Sequence, residues 1–395
     1  MPRPPVGQYA IVALVALLVT YAVTPFVRRL AVRIDAVDIP RDRKVHHAPT
    51  PTIGGLAIYA GILAAFAAAA AFPAIRSAFR FSEVFGLLVG GMIPLLIGLA
   101  DDRHDISVGA RLAGQVLAAG ILFISGVKLS YFWLPGVGVL YLSPDVSAIL
   151  TIFWIVFLMN AVNFVDGLDG LAAGLTAIAA GALFVWSLQL PGEFLGPDPI
   201  APLVAVALFG ACLGFLRYNF NPARIFMGDS GAYPLGFLLA GATISVIGRF
   251  AGTPEAVGRV ALPLVFTPIV FLALPITDLL FAVFRRLATG RPIYTPDKEH
   301  IHHRLMRLGH SHRQAVLVMY GWALLLSGGL VVAAVLPLGR FLLAFAVAGG
   351  TIAVATLTPL WRGGNGNGDR EWTEPSPGPA EPQARGVARQ PGPGV

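Results

Sequence analysis

Carboxylates and amides gather at three places in a chain that is otherwise mostly apolar. The stretch from Asn160 to Gly174, NAVNFVDGLDGLAAG, joins two long apolar runs and holds Asn163, Asp166 and Asp169. Asp166 and Asp169 are three residues apart, so on a helix they share one face. Asp101 and Asp102 stand side by side in GLADDRHDIS. Like charges about 4 Å apart at an effective dielectric near 20 cost about 4 kcal/mol, so such a pair relaxes by binding a cation or by holding a proton. Asp229 lies in NFNPARIFMGDSG, which begins at Asn219. Its Gly-Asp-Ser-Gly run suits a tight turn with exposed backbone N–H groups that can take an anion. Magnesium is usually held by one or two protein carboxylates plus substrate phosphates, and acids from three separate segments fit that habit. The bland alternatives are a polar helix cap for the first stretch and a solvated loop for the second. Phe226, apolar in a polar loop, suits either anchoring at a membrane interface or stacking on a base.

The bases form two further groups. Between Arg285 and Arg313 the chain carries His300, His302 and His303 in HIHH, among Arg285, Arg286, Arg291, Lys298 and Arg304. The HIHH nitrogens could serve zinc. No thiolate accompanies them, however, and the surrounding cations repel a metal. Clustered cations and imidazoles suit a diphosphate better. The first polar loop, DIPRDRKVHHAPTPTIGG, adds Arg41, Arg43, Lys44, His46 and His47. For either loop the alternative is a topology signal and attraction to anionic lipid.

These residues must be positioned by membrane-spanning helices. The chain has 395 residues, is 56% hydrophobic and 12% charged, and has a mean hydropathy of +0.74. A soluble domain carries about 25% charged residues. Apolar runs long enough to span fall at 8–28, 53–73, 84–100, 110–126, 146–163, 170–190, 200–217, 231–248, 260–284, 315–336 and 340–360. The expectation is an all-α polytopic membrane protein of about eleven helices. Loops then alternate sides, and of the 28 Lys and Arg, 21 fall on one side and 7 on the other. The positive-inside rule makes the richer side cytoplasmic, with the amino terminus outside and the carboxyl terminus inside. The net charge of +7 is thus a topology signal, and no nucleic-acid partner is expected. The single cysteine, Cys212, sits in an apolar run and reads as a core residue. Residues 1–362 read as one transmembrane catalytic domain. The Gly/Pro-rich tail, 363–395, cannot bury a core and is expected to be disordered.

All eight histidines and the acids named above fall on the cytoplasmic side. A transporter places its ionisable groups near the midplane, and here only Asp278 lies clearly inside a span. Acids for a divalent cation, bases for phosphates and lipid all round read as phosphoryl or diphosphate chemistry that joins a soluble nucleotide substrate to a lipid phosphate.

The ordered motifs are the DD pair at 101–102, NAVNFVDGLDGL at 160–171, FMGDSG at 226–231, PITD at 275–278 and PDKEHIHHRL at 296–305. With them, from about Asp38 to Leu305, the chain resembles the polyprenyl-phosphate N-acetylhexosamine-1-phosphate transferases, glycosyltransferase family 4. It is similar to the WecA and TagO branch, and MraY is a relative. The resemblance implies a bundle of ten or eleven helices, often a homodimer, in the bacterial inner membrane with its site facing the cytoplasm. It implies attack of polyprenyl phosphate on the β-phosphorus of a UDP-N-acetylamino sugar, with UMP leaving and Mg2+ (or Mn2+) as cofactor. By motif position, Asp229 would hold the metal, and Asp101 and Asp102 would orient or deprotonate the lipid phosphate. Asn163, Asp166 and Asp169 would hold the nucleotide-sugar and shape the metal site. Asn219 and Phe226 would lie at the uridine, and His302 and His303 near the diphosphate, flanked by His300 and Arg304. A covalent aspartyl intermediate is the alternative mechanism. Arg111 stands where the family commonly has Lys, and His47 where some members have Lys. Lys44 and His47 join the substrate-binding candidates. Ile301 splits the histidines as in the WecA and TagO branch, which favours UDP-N-acetylglucosamine. The alternatives are the MurNAc-pentapeptide translocase and, outside the class, a non-enzymatic lipid-carrier transporter.

Overall fold

The computed structural model describes residues 5–38, 49–77, 80–104, 106–134, 138–189, 200–247, 284, 287–288, 305–333 and 336–361. Lys44, His47, Asp278, His300, His302, His303 and Arg304, the expected span at 260–284 and the tail at 363–395 lie outside these residues.

The described chain is helical with two small hairpins. Its helices are α1 (Val6–Arg33), α2 (Gly55–Ala70), the single turn α3 (Pro73–Arg76), α4 (Phe81–His104), α5 (Val108–Ile124) and α6 (Pro144–Val165). They continue with α7 (Leu171–Gln189), α8 (Ala201–Asn219), α9 (Asp229–Ile247), α10 (His312–Ala333) and α11 (Leu338–Trp361). Each expected span within the described residues coincides with a helix. Among the described residues seven helices are long and apolar enough to cross a membrane: α1, α4, α6, α7, α8, α10 and α11. α2 and α5 are apolar but shorter. Local signals start several of them. Ser143 accepts the Val146 N–H at 3.5 Å and Pro144 follows it, while Ser107 accepts the Ala110 N–H at 3.3 Å to open α5.

Helix α9 is the central pillar. It packs against α4, α6, α8 and α2, and its residues from Ser230 to Val246 are buried. α1 lies along α2 and α8, and α7 along α8. The α1–α8 contact rests on Gly210 and Gly214, spaced as small-xxx-small. A β-carbon at either would meet the α1 backbone, 2.1 Å from the Ala13 carbonyl oxygen and 2.4 Å from that of Leu17. Glycine lets the two backbones touch, which is how helices gain packing energy where lipid supplies no hydrophobic drive. Cys212, between these glycines, is fully buried, as its apolar setting suggests.

The hairpin β1 (Val37–Asp38) with β2 (Thr50–Pro51) closes the first polar loop. Its exit is stitched to the loop before α9: the Phe226 N–H donates to the Pro51 carbonyl at 2.8 Å, and Gly54 and Gly55 N–H donate to the Phe226 and Met227 carbonyls at 3.1 Å each. The other hairpin, β3 (Tyr131–Leu134) with β4 (Gly138–Tyr141), joins α5 to α6 at the opposite end of the bundle.

Candidate active site

The carboxyl ends of α4, α6 and α8 and the amino ends of α5, α7, α9 and α10 meet at one end of the bundle, and the candidate site lies among them. Asp101 and Asp102 are not in a loop. α4 runs on through His104, so both occupy its last turn. Successive helical residues point about 100° apart, and the expected repulsion is relieved by sending the two carboxylates to different partners. Asp101 takes the Ile106 N–H and an Arg111 N–H, each at 2.9 Å, and so fixes the turn into α5. Asp102 reaches across to α9 and accepts the N–H groups of Asp229 at 2.8 Å and Ser230 at 3.2 Å. It caps another helix's amino terminus, where a negative charge also meets the positive end of the dipole. The cap needs Gly228: this residue has φ +68°, and a β-carbon there would lie 2.4 Å from Asp102 Oδ2.

Asp229 opens α9 in the middle of this cluster. Asn163 Nδ2, from the last turn of α6, donates to its Oδ1 at 2.6 Å, and Arg111 stands 3.8 Å from its Oδ2. Arg111 therefore spans Asp101 and Asp229 (Oδ2 of each) with one guanidinium nitrogen. Arg111 is thus inside the site. Asp166 caps the carboxyl end of α6, takes the Gly228 N–H and faces Asp229 and Asp102. Burial, then the charges of Asp229, Asp102 and Asp169, push its carboxyl up to about 8. Burial, with Asp101 and Asp102 next, pushes Asp229 up to about 7, against the bond from Asn163.

Asp166 and Asp169 do not share a helix face. α6 ends at Val165, and Asp166 has ψ 45°, so the chain turns before the second aspartate. Asp169 accepts Asn221 Nδ2–H and the Ala223 N–H, each at 2.9 Å. Asn219 is buried and its amide is engaged at both ends: Oδ1 takes the Gly170 N–H at 3.1 Å and Nδ2 donates to the Ile225 carbonyl at 3.0 Å. It ties two loops together. Phe226 is half-buried, with its backbone paired to the first loop. The sequence reading passed over Ser230, Asn221, His312 and Tyr320. His312 lay in plain view in GHSHR, but nothing there said which loop it would meet.

A divalent cation fits this donor set. Burial comes first, and then the charges of Asp229 and Asp102 raise the proton affinity of Asp166 and that of Asp102 raises Asp229's; Arg111 is the one cation at their centre among the described residues. Nor do the described residues make a closed cage of three or more acidic, imidazole or thiolate ligands. Magnesium takes one or two protein carboxylates and completes its shell with water and substrate phosphate, so Asp229 and Asp166 alone could serve it.

Comparison with known proteins gives the family. Residues 84–247, which contain every site carboxylate named above, match the model of Glycosyl transferase family 4. The chain is 42% identical over 334 residues to the decaprenyl-phosphate N-acetylglucosaminephosphotransferase of Mycobacterium leprae, covering 82% of this chain and 83% of that protein. The chain belongs to glycosyl transferase family 4. Within this family it is also 37% identical over 307 residues to a probable undecaprenyl-phosphate N-acetylglucosaminyl 1-phosphate transferase of Bacillus subtilis, covering 78% and 80%. To the undecaprenyl-phosphate alpha-N-acetylglucosaminyl 1-phosphate transferase of Escherichia coli it is 32% identical over 318 residues, covering 78% and 79%.

Proposed function

We propose that this family 4 transferase moves N-acetylglucosamine-1-phosphate from UDP-N-acetylglucosamine to a polyprenyl phosphate, releasing UMP. The carrying observation is the convergence of Asp102, Asp166 and Asp229 from three segments on one end of a lipid-embedded bundle, with Arg111 among them. The relatives named above work on decaprenyl and undecaprenyl phosphate, and a polyprenyl phosphate is the acceptor that such a site can take from the bilayer.

In this reading the lipid phosphate oxygen attacks the β-phosphorus, and the bond from that phosphorus to the bridging oxygen of UMP breaks. Arg111 offers guanidinium N–H groups to the incoming phosphate, held ready by Asp101. Asn163 orients the Asp229 carboxylate. Asp229, with Asp166 beside it, would hold Mg2+, which when bound neutralises charge on the diphosphate. The lipid phosphate is ionised near neutral pH, so no aspartate has to serve as a covalent nucleophile. His302 and His303 are placed by sequence on the loop that would meet the UDP-sugar diphosphate. The finer arrangement we infer is eleven spans, the amino terminus outside and the site on the cytoplasmic face of the inner membrane, with the homodimer common in the family.

Purified protein given UDP-N-acetylglucosamine and decaprenyl phosphate is expected to release UMP and form lipid product only with Mg2+ present. UDP-MurNAc-pentapeptide is expected to give none. Asp229→Asn is expected to lower turnover about a hundredfold, the equivalent of about 2.7 kcal/mol of charge stabilisation. Full turnover in excess chelator, or product from the pentapeptide substrate alone, would refute the reading.

A further inference from the structure

The segment Gly309–Arg313, GHSHR, takes no part in the chemistry above, yet it joins the last two helices to the turn that carries Asp166. Its two imidazoles reach different elements. His310 is buried and donates from Nε2 to the Thr356 carbonyl of α11 at 2.8 Å. His312, the first residue of α10, has Nε2 3.2 Å from the Asp169 amide. A backbone N–H can only donate, so this Nε2 is the accepting nitrogen and the ring proton is on Nδ1. Next to it, Arg313 Nε donates to the Asn221 carbonyl at 3.0 Å, and Asn221 in turn holds the Asp169 carboxylate. About two turns along α10, the Tyr320 hydroxyl donates to the Gly170 carbonyl. Beneath these bonds Leu305, Val316 and Met319 pack against Val165, Leu168 and Leu171 in an apolar cluster separate from the main core. The 166–170 turn is thus gripped at Asp169 and Gly170 from two sides, by residues 219–223 and by α10.

The grip has a physical task. Asp166 is pressed toward two other carboxylates, and their repulsion acts to swing its turn outward. We propose that His312 is a positioning residue for the divalent-cation site: by accepting the Asp169 amide it holds the turn so that Asp166 stays opposite Asp229. The proposal rests on the reading that these two aspartates serve the cation. Residues that orient a metal ligand without touching the metal commonly alter affinity about 10- to 100-fold.

The test uses the full chain in detergent and two readouts. One is the rise in Tm on adding Mg2+ with no substrate; the other is the Mg2+ concentration that half-activates UMP release. His312→Ala is expected to raise the half-activating concentration about tenfold and to need correspondingly more Mg2+ for the same Tm rise. Turnover should return at high Mg2+. His312→Gln places an amide oxygen about where Nε2 stands and is expected to restore a near wild-type Mg2+ response. Two results would overturn the proposal: His312→Ala with lowered Tm but an unchanged Mg2+ response, which is a purely structural role, or His312→Gln no better than His312→Ala. A wild-type protein whose Tm and activity both ignore Mg2+ would remove the cation site itself, and the proposal with it. A Mg2+-responsive wild type beside an equally responsive His312→Ala removes the proposal alone.

Discussion

At the level of single residues the site is a study in charges held closer than they prefer. Asp166 and Asp229 keep their protons to about 8 and about 7, burial being the first cause in both. In an unfolded chain an aspartate releases its proton near pH 3.9. Between those values the folded protein binds more protons than the unfolded one, so this share of stability is complete below about pH 4 and is lost as pH rises through about 8. The expected outcome is a metal-free Tm that falls between pH 5 and pH 8.5, and a Mg2+-induced Tm rise larger at pH 8 than at pH 6, since the cation competes with protons for the same oxygens. Thermal scans across that range, with and without Mg2+, check both; a Mg2+ effect larger at pH 6 would contradict the assignment. The sequence made these aspartates legible because carboxylates beside apolar spans are conspicuous. It did not say how they divide the work. Asp101 and Asp102 look alike in sequence, yet one orients Arg111 and the other caps α9. Asp169 looked like a partner of Asp166 and is instead the anchor of a loop. The difference is made by where a helix stops, and a stop at Val165 has no local signal stronger than the glycine two residues beyond.

At the level of elements, the start of α9 carries the site. Its first N–H groups are satisfied by a side chain from α4, 127 residues earlier, and Gly228 gives that side chain room. Gly228→Ala forces a β-carbon both into a left-handed backbone, at a cost of about 1–2 kcal/mol, and against the Asp102 carboxylate. The expected outcome is a lower Tm together with a turnover loss of about tenfold or more, one decade for each 1.4 kcal/mol lost at the site. Gly109→Ala is the control, because nothing lies within 4 Å of a β-carbon there; its Tm and turnover should match wild type. Equal behaviour of the two variants would show that the α4–α9 cap is dispensable. The α9 start was partly readable: Gly-Asp-Ser-Gly announced a tight turn with exposed N–H groups. That those groups serve a neighbouring helix, and not a ligand, needs the third dimension.

At the level of the whole molecule, apolar run length located the helices well, since a span must satisfy its own backbone hydrogen bonds in lipid. Hydropathy alone could not order them around α9 or show that the first loop returns to pair with Phe226 and Met227. Those are contacts between distant segments, and no local pattern encodes them. The Lys and Arg asymmetry predicts that a protease tag after Val395 is cut only from the cytoplasmic side. Cleavage in intact spheroplasts from outside would reverse the orientation and place the site on the wrong face. One further consequence belongs to the order in which the chain is made. Every carboxylate of the site lies before residue 230, but the α10 part of the brace on their turn, from His312 and Tyr320, is synthesised late, up to 150 residues after the turn it holds. A nascent chain that ends before α10 therefore owns the acids and the 219–223 half of their frame, without the half that α10 supplies. The turn that carries Asp166 is held from both sides only once α10 has joined the bundle.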